Sequence, residues 1–530
     1  MTIQGWSTLR VYPRHRTTRW SPLPLAAAVA SLALAGAREL AAQTGGAPAS
    51  VSAGQPLSLP LADAIRLATG SSEAIAVARA SILRARGQQY QARSAVMPQL
   101  STSFNYQKTL QNQFKAISER SSSGGTGGSD STLADNPLTR IFASPYTTTF
   151  GIAAQQALFT GGRASANIRA ARAGREAAEI GVETSEAQTV LNVTQAYYDA
   201  LLADELVTIA ESSLVQSERT FRQTQLVKDV GSTSEFELVR ARVTRDNQRP
   251  PWLQSRTNRE LAYVRLRQLL DLPLDRMLVL TDRPVESPLP VRADATAVIT
   301  TVNVTASEVL AMDPSIKARA ATIVGASDTT AARRAPVRQA LKSVEIAKEA
   351  LRATRAQRLP TVGISTNYQR LAYPNDGLPR SIGEFFPNWT AALSVTFPFF
   401  TGGRVRGEEL AAEAGVAEAE QRLKQTQEGA SLDARQAIAL LEEAEAAWQA
   451  SVGTQDQATR GYDIAEVRFR EGISTGLELS ETRVQLQQAL ANRARAARDL
   501  AIARVRVQLL PNLPLTGAPQ SSIPPSGNTP

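Results

Sequence analysis

The chain has 530 residues, no cysteine and one histidine, His15, with 58 basic side chains against 49 acidic ones and a formal charge of +9. Without a thiol, and with its one imidazole in a segment read below as removed, it has no nucleophilic cysteine, histidine base or His/Cys zinc site. Neither an enzyme nor a bound cofactor or metal is expected, and the absence of Arg/Lys clusters interleaved with aromatics argues against a nucleic-acid partner.

Residues 1–42 read as a signal peptide. Arg10, Arg14, Arg16 and Arg19 precede an apolar stretch, Leu23 to Ala37, that is short for a membrane span, and Leu40-Ala41-Ala42 supply small residues for cleavage. The alternative is an uncleaved inner-membrane anchor. The segment carries five Arg and one Glu, so its removal lowers the charge from +9 to +5. With no cysteine behind it, a lipoprotein-type anchor is excluded.

Residues 43–274 form a first structural repeat. A helical stretch, Ala62 to Met97, ends at Pro98, a strand covers 98–108, and a Gly/Ser-rich loop around Ser121 to Ser131 follows. A second strand at 147–159 ends in Leu158-Phe159-Thr160-Gly161-Gly162-Arg163. A long helical run then reaches Gly231, and another returns, with Pro250-Pro251 expected to end or kink it. Residues 275–335, with several prolines, are a connector.

Residues 336–512 repeat the plan: a helix from Val337 to Leu359, strands at 360–370 and 389–400, and two long helices. Arg355, Pro360 and Asn367-Tyr368-Gln369 match Arg93, Pro98 and Asn105-Tyr106-Gln107, and Phe399-Phe400-Thr401-Gly402-Gly403-Arg404 matches the first Gly-Gly-Arg site. Gly231, Glu237 and Leu238 match Gly472, Glu478 and Leu479. Two copies in one order make a duplicated fold. The tail, 513–530, rich in Pro, Ser and Gly, is expected to be disordered.

The strands alternate. Trp389, Ala391, Leu393 and Val395 share one face opposite Thr390, Ala392, Ser394 and Thr396, and Phe150, Ile152 and Ala154 oppose Thr149, Gly151, Ala153 and Gln155. Leu100, Phe104 and Tyr106 alternate with Ser101, Ser103, Asn105 and Gln107. Such period-two segments suit a half-buried soluble sheet or a membrane barrel strand. The intervals Gly162 to Gly231 and Gly403 to Gly472 are both 69 residues without a proline. As helices they reach roughly 100 Å and must pack lengthwise in coiled-coil fashion. Four strands cannot close a barrel in lipid alone, whereas three chains would supply twelve.

In these paired Phe-Thr-Gly-Gly-Arg corners, proline switches and duplicated Gly-x5-Glu-Leu turns, the chain resembles the TolC-type outer-membrane efflux and secretion factors over about residues 57–512. The resemblance implies a membrane α+β fold. Four strands per chain would enter a homotrimeric 12-stranded β-barrel, continued by a long coiled-coil α-helical barrel, with the connector in an equatorial collar. It implies an exit duct in the Gram-negative outer membrane with its helices in the periplasm. That duct would serve a tripartite pump or type I secretion system, with a periplasmic adaptor protein, an inner-membrane transporter and outer-membrane lipid as partners. The alternative is a periplasmic coiled-coil adaptor or scaffold.

By the same resemblance Glu478 and Glu481, three apart on one helix face, would line the periplasmic aperture, where the family commonly has aspartates. In copy one Glu237 holds the first acidic position and Arg240 replaces the second. Arg240 is expected to pair with an acidic neighbour, the alternative being a merely exposed arginine. The tips Val230-Gly231-Ser232 and Gly472-Ile473 resemble the adaptor-contact turns but keep no leucine. Gly161, Gly162, Gly402 and Gly403 are strand-to-helix corners where glycine is needed sterically; they lack the Lys-Ser/Thr ending of a phosphate loop.

Overall fold

The computed structural model describes residues 57–110, 144–282, 318, 321–325, 329–374 and 377–516. The signal peptide, the Gly/Ser loop, most of the connector and the tail beyond 516 lie outside these residues.

Four strands make one antiparallel sheet in the order β2-β3-β5-β6: β2 Gln99–Lys108, β3 Tyr146–Phe159, β5 Thr361–Ala372 and β6 Phe386–Thr396. The register decides the faces. Phe104 sits opposite Phe150, Ile152 opposite Tyr368, and Tyr368 opposite Trp389, so the apolar sides of all four strands coincide. The other face is Ser101, Ser103, Asn105, Thr149, Asn367 and Thr390 with their neighbours. Among the described residues nothing covers the apolar face: Leu100 is 75% exposed, Trp389 77% and Leu393 67%. The outer edges, on β2 and β6, have no strand partner among the described residues.

The last strand begins earlier and ends sooner than 389–400. It stops at Thr396 because Pro398 has no N–H to continue the ladder; Pro387 is tolerated since β6 is an edge strand. Phe397, Phe399 and Phe400 follow it, all exposed.

Two 67-residue helices dominate, α3 Arg163–Asp229 and α7 Arg404–Arg470, each opened by a glycine N-cap, Gly162 or Gly403. Helix α6, Ala335–Arg355, lies along both. Against α3 it is held by ion pairs at regular steps, Arg169–Glu349, Glu176–Lys342 and Glu183–Arg338; against α7, by Arg355–Glu413 and Lys348–Glu420. The copy-one counterpart of α6 is two helices rather than one, α1 Leu61–Ser71 and α2 Glu73–Ser94. The helix breaks at Ser72, which leaves helical geometry (ψ 121°) and accepts a bond from the Ile75 N–H.

The return from α3 is also divided, into α4 Glu235–Asp246 and α5 Arg249–Leu269, with Pro250-Pro251 in the first turn of α5, where missing N–H groups cost nothing. Its copy-two counterpart, α8 Gly476–Leu509, runs unbroken.

The largest core lies halfway down the helices. Val193, Ala196, Tyr197 and Ala200 of α3 pack on α1, on the end of α5, and on strand β1, Leu57–Leu59, which pairs in parallel with β4, Leu278–Leu280, of the connector. Tyr197 donates to the Leu59 carbonyl. At the connector's other end Arg334 is fully buried, paired with Asp433 at 2.7 Å and bonded to the carbonyls of Ala430, Leu510 and Leu513. The expectation of disorder from 513 on therefore fails for its first residues. Leu513 is buried against Ala187, Leu191 and Val505, and Thr516 bonds Asp433.

Candidate functional site

Far from the sheet, each long helix ends in the same turn. Val230 closes α3 and Gly231 takes φ +78°; Gly231 N–H bonds the Lys228 carbonyl and Ser232 N–H that of Val227. In copy two Glu471 closes α7, Gly472 takes φ +74°, and Gly472 and Ile473 bond the carbonyls of Phe469 and Arg468. This paired closure requires a left-handed residue, which glycine adopts without strain. Nothing within 4 Å of either glycine would meet an added Cβ, so backbone angle alone selects it.

The next helices open with matching caps. Ser234 accepts from the Glu237 N–H and Thr475 from the Glu478 N–H. Both acids named by sequence spacing are thus also the third residue of a helix whose N-cap is Ser or Thr. The Ser/Thr-x-x-Glu pattern was readable in the sequence and went unused there.

Between the two tips lies a cavity of about 520 Å³. Glu237 and Arg240 both line it and pair with each other at 3.8 Å. Glu237 also reaches the start of α8, where its carboxylate would be 3.4 Å from a Cβ on Gly476. Glu478 does not line the cavity. Its carboxylate accepts from Arg468 at 2.8 Å across the tip. Glu481 is exposed and does not line the cavity either. Val230, Gly231, Ser232, Gly472 and Ile473 form the exposed ends of the turns, with Val230 79% and Ile473 69% exposed.

The corner glycines differ between copies. An added Cβ on Gly161 (φ +63°) would lie 2.7 Å from the Ala356 carbonyl, because the first corner closes on the turn before β5; Gly402 has the same kind of φ in open space.

Arg483 escaped the sequence reading. It falls between Leu479 and Leu486 on the inner face of α8, a core position, and is 4% exposed. Its Nε and Nη2 have no hydrogen-bond partner among the described residues, and burial pushes its pKa down, with Tyr462 acting weakly the other way. An arginine interrupting an apolar heptad row is the signal that could have found it.

A family profile described as outer membrane efflux protein matches residues 64–271 and 326–512. No curated relative matches significantly. Among solved structures the chain is similar to the Campylobacter jejuni CmeC outer membrane channel, with 16% identity, 85% of each chain covered and a TM-score of 0.63. It is also similar to the Vibrio cholerae outer membrane protein VceC, with 17% identity, 85% of this chain and 95% of that one covered, and a TM-score of 0.62. To the open state of the Neisseria gonorrhoeae MtrE outer membrane channel it shows 17% identity over 89% and 94% of the two chains, with a TM-score of 0.60. At these identities the likeness establishes a shared fold.

Proposed function

The chain belongs to the outer membrane efflux protein family, and from that premise we propose that three copies build one channel, each supplying its four strands to a closed 12-stranded barrel and its helices to a periplasmic tunnel. The chain is an outer-membrane efflux channel. The observation that carries the trimeric reading is the sheet, with one exposed apolar face, one polar face and two unpaired edges. Unpaired edges cannot be left in hydrocarbon, so β2 of one copy must meet β6 of the next until the ring closes. Ten residues of β2 extend about 33 Å, and a tilt near 40° brings this to about 25 Å, the height of an outer-membrane apolar band. Aromatics stand at both ends of that face: Tyr106 stacked on Tyr146 at the loop end, Phe397 and Phe399 at the helix end. No described helix is long and apolar enough to cross a membrane.

In this reading Glu478 and Glu481 put six carboxylates, two from each of three chains, around the axis at the periplasmic end. The turns at Gly231 and Gly472 meet an adaptor protein that links the duct to an inner-membrane transporter. The single chain carries two helical hairpins and a membrane-type sheet, so the adaptor reading is not favoured.

Single-channel conductance of the purified protein in a planar bilayer tests this. The expected result is a small cation-selective current, blocked by a trivalent cation added on the helical side and enlarged in Glu478→Ala/Glu481→Ala. A membrane-inserted trimer whose current the double variant leaves unchanged would sink the aperture assignment, and a soluble monomer would sink the channel.

A further inference from the structure

We propose that the cavity between the two hairpin tips is a binding site for a small oxyanion, of the phosphate or sulfate class, held by Arg483 and by Ser474. Both side chains line it, and both carry buried polar atoms without a partner: Nε and Nη2 of Arg483 and Oγ of Ser474. A buried guanidinium that forms no ion pair with a carboxylate among the described residues is costly, and native proteins pair such groups with a counter-charge. Arginine stays protonated even when burial lowers its pKa, so the need for a counter-charge cannot be relieved by losing the proton.

Among the described residues the acids on the walls do not meet that need. Glu237 lines the same cavity but is engaged with Arg240, and Glu471 belongs to the turn; Arg240, Arg470 and Arg483 outnumber these two carboxylates on the walls. The 34-residue helix α8 begins at the cavity with Gly476, adding free N–H groups and the positive end of its dipole. The fork of an arginine with hydroxyl and backbone donors is the donor set that tetrahedral oxyanions select. Ser217 and Thr224 of α3, Thr244 of α4, the turn after α7, and α8 all border the space. An anion there would tie the copy-one hairpin to the copy-two hairpin, which otherwise meet around an uncompensated charge.

The test is calorimetric titration of inorganic phosphate into the detergent-solubilised, full-length trimer at constant ionic strength, with wild type, Arg483→Met and Ser474→Ala in parallel. Saturable binding is expected in the wild type, weakened at least about tenfold in Arg483→Met, as loss of one charge-assisted contact implies. Ser474→Ala, in an exposed turn that should fold whatever happens at Arg483, is expected to weaken it severalfold. Arg483→Met should also raise the melting temperature in phosphate-free buffer, with the gap closing as phosphate is added to the wild type. Failure of the wild-type trimer to bind phosphate or sulfate at millimolar concentration overturns the proposal, as it would if a neighbouring copy's carboxylate fills the cavity. Equal affinities in all three proteins would also overturn it.

Discussion

Placing one arginine on each face of the sheet tests the membrane reading most directly. Ile152 and Ala153 are adjacent in the middle of β3. Ile152 lies on the apolar face opposite Thr102 and Tyr368, and Ala153 on the polar face opposite Ser101 and Asn367. No packed layer among the described residues covers the apolar side: Ile152 is 40% exposed and its neighbour Trp389 more so. A soluble sheet would therefore accept Ile152→Arg at small cost. In a bilayer, arginine on the lipid face near the midplane costs about 2–4 kcal/mol, so three copies cost about 6–12 kcal/mol per trimer. Ala153→Arg faces the lumen in that arrangement and spares the lipid side.

The assay is recovery of heat-resistant trimer from the outer-membrane fraction, backed by urea titration of refolding into short-chain vesicles. Ile152→Arg should abolish or severely reduce the trimer, whereas Ala153→Arg should assemble and shift ion preference towards anions. Equal damage from both, or damage from Ala153→Arg alone, would refute the assignment of faces.

The parts of the fold legible in the sequence were those governed by local periodicity. Alternation set both sheet faces because a strand's side chains repeat every two residues whatever its partners are. Two proline-free intervals bounded by glycines located both long helices, and the structure places their ends within two residues of those glycines. What escaped depends on long-range contacts. The parallel pairing of Leu57 with Leu278 joins segments more than 200 residues apart, and neither three-residue strand carries a pattern of its own. Leu513 reads as part of a Pro-rich tail until α3 and α8 provide a pocket for it. Ser72 leaves helical geometry and restarts the helix through one side-chain cap, inside an otherwise continuous periodic run. In the tips the matching spacing of Glu237 and Glu478 was visible, but the cavity that Glu237 lines and Glu478 does not was hidden. It forms only when two hairpins 241 residues apart in sequence come together.

Three further outcomes follow from individual contacts. Asp433→Ala strips the fully buried Arg334 of its carboxylate and should cost about 3–5 kcal/mol in thermal or denaturant unfolding, whereas Glu418→Ala, which breaks the exposed pair with Arg422 on the same helix, should cost about 0.3–0.5 kcal/mol; equal losses would show that the pair at mid-height is not structural. Burial pushes the Tyr197 and Tyr198 phenols up to about 12, so their contribution is intact below pH 10 and is lost as pH rises from 10 through about 12; Tyr198→Phe should flatten that alkaline loss in a pH series of melting temperatures. The third separates the two roles that meet at Glu478, which follows the cap Thr475 by three residues and carries a charge proposed to face the aperture. Glutamine serves that capping position as well as glutamate, so Glu478→Gln keeps the helix start and loses only the exposed pair with Arg468, about 0–1 kcal/mol. Thr475→Ala does the reverse, removing the acceptor for the Glu478 N–H at about 1 kcal/mol and leaving every carboxylate in place. Cation preference should therefore fall in Glu478→Gln at nearly unchanged stability, and stability should fall in Thr475→Ala at nearly unchanged preference. If both variants moved stability alone, Glu478 would be a helix-start residue whose charge the current never meets.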